Sequence, residues 1–133
     1  MSQSSSETEG ALAAAVREKV LHVQIQLARE PSLDEARLMD LLLGLGRREC
    51  ARRVSQSKGE DDGRWIGFSY NTGNLGQVWS AVRETVLGDA VVGALVARAA
   101  IVVCQGDAGW DDYLLLHHFD PLQPLDQLRG GDS

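Results

Sequence analysis

"LHVQIQL", residues 21–27, alternates without a break. Leu21, Val23, Ile25 and Leu27 fall on one side of an extended chain; His22, Gln24 and Gln26 fall on the other. Period-two alternation of this kind predicts a strand with one buried face and one polar face. Helices would cover the apolar side of such a sheet, and a polar side of this kind is often open to water or to a partner. The rest of the chain can be placed around it.

Upstream, "ALAAAVREKV" (11–20) is Ala-rich and predicts a short helical lead-in. "MSQSSSETEG" (1–10) is a disordered tail by composition, and it lacks the basic-then-apolar order of a secretory leader. Downstream, "PSLDEARLMDLLLGLG" carries Leu38, Leu41, Leu42 and Leu45 at helical spacing. Ser32 with Glu35 forms a capping-box pattern, and Gly44 and Gly46 mark the end. Residues 47–58 are compatible with a strand or a longer helix. "GEDDG" (59–63) is a turn, and Ile66, Phe68 and Tyr70 then share one face of a strand. Asn74 caps a second helix whose stripe is Leu75, Val78, Trp79, Val82 and Val86, with a break at Gly88-Asp89. "RAAIVVCQG" is a strand buried on both faces, "DAGW" a turn, and "DDYLLLHHFD" a final strand.

The order is β-α-β-β-α-β plus one strand, which predicts an α+β fold of the ferredoxin-like, split βαβ plan. The extra C-terminal strand would form a hairpin with the one before it. The expected organisation is a tail over 1–10, a single α+β domain over 11–120, and an extended or disordered tail over 121–133. Helices would bury Leu21, Val23, Ile25, Ile66, Phe68 and Tyr70. His22, Gln24, Gln26 and Trp65 would face away.

Charge bounds the function. The chain has 133 residues, 44% of them hydrophobic, so a packed core is feasible. A formal net charge of -6 disfavours nucleic acid and anionic membrane as partners, and favours a basic protein. The acids concentrate at the C-terminal end: Asp107, Asp111, Asp112, Asp120, Asp126 and Asp132 stand against Arg129 alone. "DAVVGALVARAAIVVC" is the nearest approach to a membrane span, and Asp89 and Arg98 interrupt it. Cys50 and Cys104 lack any zinc-type spacing and fit reduced thiols in a bacterial cytoplasm. The Ala/Arg/Leu/Gly-rich composition agrees with a bacterial source.

Chemistry-bearing residues crowd into "GDAGWDDYLLLHHFDP" (106–121). His117 could join His22 or Asp120 around a metal, but adjacent His117 and His118 point to opposite faces of a strand. Cys104 stands in "AIVVCQG", an apolar setting that keeps a thiol inert. No phosphate-binding glycine motif is present, so no cofactor is expected. Trp110 follows a glycine in a turn, where a core role is hard to arrange. Trp and Tyr are favoured anchors in interfaces.

Three functions compete. The first is a protein-binding module using Asp107, Trp110, Asp111, Asp112 and Tyr113, with His118 and Trp65. One form of it is an immunity-type inhibitor that occludes the basic active site of a toxic enzyme. The second is a homodimer or larger homo-oligomer without catalysis, its sheet faces paired. The third is a small-molecule enzyme built from His22, Cys104, Asp112, Tyr113 and His117.

Overall fold

The computed structural model describes residues 18–61 and 63–128. The expected tail over 1–10, most of the lead-in helix and the last residues of the C-terminal tail lie outside them. In chain order the elements are β1 (Lys19–Gln26), a 3-10 turn (Leu27–Arg29), α1 (Glu35–Leu45), β2 (Arg53–Gly59) and β3 (Trp65–Thr72). Then come α2 (Leu75–Val82), which continues as a π-helical turn (Arg83–Leu87), α3 (Gly93–Ala97), β4 (Ala100–Gly106) and β5 (Gly109–His117).

The protein is α+β; the described residues form one five-stranded antiparallel sheet in the order β2-β3-β1-β4-β5 and three α-helices. This is compatible with a ferredoxin-like α+β fold. The register follows from the alternation in β1. Leu21, Val23 and Ile25 stand opposite Tyr70, Phe68 and Ile66 on β3. Across β4, Leu21 meets Cys104 and Val23 meets Val102. All eight of these side chains are buried in one core cluster with Leu38, Leu42 and Val78 from the helices. The Tyr70 hydroxyl donates to the Leu42 carbonyl at 2.6 Å, which ties α1 to the sheet. Burial raises the Tyr70 phenol well above its ordinary range.

Several local expectations need correction. β1 begins at Lys19, so the end of the supposed lead-in helix is strand. The cap of α1 is Asp34, whose carboxylate accepts the Arg37 backbone N–H at 3.1 Å; the Ser32 box does not form. Glu35 is instead drawn into a two-bond pair with Arg64, at 2.6 and 2.7 Å. Gly44 lies inside α1, and Gly46 ends it in the right-handed region at φ -66°. The Asn74 cap forms as expected, accepting from Gln77 at 3.0 Å. The ambiguous segment is strand from Arg53 onward, the polar outer edge of the sheet.

The break at Gly88-Asp89 has a chemical anchor. Asp89 accepts from the Val91 and Val92 backbone N–H groups and takes both bonds of the Arg37 guanidinium, at 2.8 and 2.7 Å. One carboxylate thus orients the chain entering α3 and clamps it to α1. The hydrogen bonds donated by Arg37, with those from the Val92 and Val91 N–H groups, hold the Asp89 carboxyl far below the usual carboxylate range.

The strand pattern expected for the C-terminal end also changes. Leu115 opposes Val103 and His117 opposes Val102, so Leu116 is an extra residue, a bulge. His117 therefore reaches the helix side, where its Nε2 meets the Ala97 carbonyl at 2.9 Å, and Leu116 joins the core. Beyond β5 the chain turns back. Asp126 donates its backbone N–H to the Leu115 carbonyl and accepts the Leu115 N–H on its carboxylate, both at 2.8 Å. Asp120 to Gln123 form a turn, Asp126 fastens the returning chain to β5, and Leu128 packs on the core. Among the described residues, no helix is long and apolar enough to cross a membrane.

Candidate functional site

β4 and β5 are joined at Asp107-Ala108, and Gly109 supplies the left-handed conformation that closes the turn, at φ 74°. Gly106 pairs with Gly109, but the next pair is Cys104 with Leu114. Four residues, Trp110 to Tyr113, therefore oppose the single Gln105. Such an excess cannot lie flat, so it arches out of the ladder.

The arch folds over Gly106. A Cβ built there would overlap the Asp112 carbonyl oxygen, so glycine is what allows this approach. Gln105 turns its side chain toward β1 and accepts the Val20 N–H at 2.9 Å. Beneath the arch is a cavity of about 120 Å³, walled by Gln105, Asp107, Asp112 and Leu114 with Lys19 and Gln127. Lys19 approaches Asp107 at 3.5 Å, and the Asp107 side chain is still 86% exposed.

The result is an exposed aromatic and acidic surface. Trp110 is 46% exposed and Tyr113 56%, high values for large rings, and Asp107, Asp111 and Asp112 are exposed beside them. Five of the expected binding residues are thus brought to one end of the sheet.

Trp65 and His118 are not. Trp65 pairs with Gln26 and Gly59 at the other end of the strands. Its ring covers Gly59, and its Nε1 donates to Asp61 at 2.9 Å. His118 packs on Phe119, ring centroids 4.3 Å apart, and accepts the Asp120 N–H at 3.0 Å. Arg29 lies over the Phe119 ring at 3.8 Å. The two residues hold corners of the fold together at this end.

The alternative enzyme set is dispersed. His22 is on the outward sheet face, bonded through Nδ1 to the Ser69 hydroxyl at 2.8 Å. Burial lowers its pKa, and a bond with Gln24 opposes that shift. Cys104 is buried on the helix side, His117 lies on α3, and Asp112 and Tyr113 stand in the arch. No group of three metal-ligating side chains converges among the described residues.

Lys19, Gln105 and Asp126 shape the site; of these the sequence pattern marked Asp126 alone, and only as one of the C-terminal acids. Gln105 looks like a strand end, and Asp126 sits in a stretch without periodicity. A wider groove, about 850 Å³ and open, runs between Arg47–Cys50 and the exposed side of α2. Its charges are mixed, with Arg47 and Arg48 facing Glu49 and Glu84. Comparison with family models, with curated proteins and with solved structures gave no match.

Proposed function

We propose that this chain is a protein-binding module whose contact surface is the Trp110–Tyr113 arch with Asp107, and that its partner is basic. The observation that carries the reading is the exposure of two large aromatics beside three carboxylates on a backbone held by Gly106 and Asp126. Rigid aromatic anchors lose little entropy on binding, and carboxylates steer a cationic partner into place. The role we favour is that of a cytoplasmic inhibitor or immunity-type protein of a bacterium, blocking a basic active site. The scaffold reads as the split βαβ plan with one added hairpin strand, which leaves the arch at a free end of the sheet.

The test uses tagged full-length chain as bait in lysate of its own source, beside a Trp110→Ala, Asp111→Asn, Asp112→Asn variant. A stoichiometric partner of high isoelectric point is expected, held less tightly as salt rises. Loss of hot-spot contacts should weaken capture by about 30-fold or more. Equal capture by a folded triple variant would refute the assignment.

A further inference from the structure

The outward face of the sheet carries a pattern that the arch does not use. On β1 this face presents Val20, His22, Gln24 and Gln26; on β3 it runs from Trp65 to Asn71 through Gly67 and Ser69; on β4 it bears Ile101, Val103 and Gln105. None of these outward positions is Asp, Glu, Lys or Arg, in a chain that is 24% charged. His22 keeps the pattern at neutral pH, since burial disfavours its charged form. The helices and the core cluster lie on the opposite face, and the outward side chains are mostly half-buried by their own neighbours. Among the described residues, charges stand at the rim: Arg53 at the edge of β2, Asp61 beside Trp65, Asp107 in the turn, and Asp111 and Asp112 in the arch.

We propose that this face is the interface of a homodimer, two copies packing sheet to sheet about a two-fold axis. An isologous interface presents each patch to itself, so like charges at its centre would repel, and an uncharged centre is the condition it must meet. Depletion of charge at the centre with charge at the rim is also the usual composition of an interface. A heterologous partner of either sign would find no complementary field here. The size fits as well. Five strands about 4.8 Å apart and about seven residues long, at about 3.3 Å per residue, span roughly 24 by 23 Å. A pair of such faces covers about 1,100 Å², close to the ~1,200 Å² at which specific interfaces begin. The sheets would pack about 10 Å apart with Gln24, on the central strand, near the middle. Each dimer would present two acidic arches.

The experiment is sedimentation of the full chain from about 5 to 500 µM. A mass rising toward twice 14.4 kDa is expected; a mass of 14.4 kDa throughout would overturn the proposal. Gln24→Glu and Gln24→Lys should each weaken association at least tenfold with the circular dichroism spectrum kept, because either charge meets its own copy. Undiminished association of both overturns it. In wild-type protein, dilution should move the side-chain amide resonances of Gln24 and Gln26. Unmoved amides with a shifting Trp110 indole would place the contact at the arch instead. Trp110→Ala with Tyr113→Ala should still dimerise, and the Gln24 variants should still capture the basic partner, so the two readings fail separately.

Discussion

The carbonyl oxygen of Asp112 rests against the α-carbon of Gly106, in space that a side chain would otherwise fill. This single approach lets four residues of one strand arch over one residue of its neighbour. The acidic, aromatic surface thus depends on an atom that is missing from the sequence alphabet's smallest residue.

Gly106→Ala tests that dependence. Replacing a glycine lowers unfolded-chain entropy and by itself stabilises by about 0.4–1 kcal/mol. Forced overlap in a packed site costs about 1–3 kcal/mol. The overlap should win, giving a net loss of about 1–2 kcal/mol in denaturant unfolding together with a shifted Trp110 emission. A stabilised variant would mean that the arch moves aside freely.

Much of the fold was legible because its reasons are local. Alternation in 21–27 placed β1, Ile66-Phe68-Tyr70 placed β3, and Asn74 marked the start of α2. The failures share a different cause. β2 is an edge strand whose side chains are mostly exposed, so "RVSQSKG" has no apolar alternation to reveal it. Ser32 and Asp34 are both good caps; Asp34 takes the role, and the Glu35 that a Ser32 box would need is engaged by Arg64, a residue distant in sequence. The arch and the Leu116 bulge reflect pairing between strands, and neither strand alone carries that register. Of the candidate site, the turn and its five residues were visible; that Trp65 and His118 belong to the far end required the sheet order.

Tyr70→Phe should remove the bond to the Leu42 carbonyl in a buried setting. The expected loss is about 1–3 kcal/mol, larger if that carbonyl stays dry and unpaired. The wild-type phenol also has a folded-state pKa above its unfolded value of about 10. Its contribution is therefore complete below that value and is lost as pH rises through it. The stability gap between wild type and Tyr70→Phe should shrink above about pH 10 in alkaline unfolding curves.

Asp89→Asn weakens the clamp between α1 and the entry to α3. The folded-state pKa of Asp89 is depressed by Arg37 and by two backbone donors, so its contribution is present above the unfolded value and lost as pH falls below about 4. Thermal unfolding at pH 7 should show a lower midpoint for the variant. The two midpoints should converge as the pH is lowered from 4 toward 2. Equal midpoints at pH 7 would show that the ion pair is offset by its own ordering cost.

His22 should titrate below 6.5, because protonation would place charge on a half-buried ring held by Ser69. The unfolded chain then takes up the proton first, so acidification below about pH 6.5 should cost stability. NMR titration of the imidazole proton, assigned with His22→Gln, checks the midpoint. A value at or above 6.5 contradicts the burial described for this face.

Asp126 gives the fold one more property. By occupying both hydrogen-bonding groups of Leu115, it closes part of the outer edge of β5 against any neighbouring strand. At the other edge, β2 bears Arg53 and Lys58. One border of the sheet is guarded by a folded-back strap and the other by positive charge. Among the described residues, exposed rings thus stand beside strand edges that carry two of the devices by which sheets resist edge-to-edge pairing.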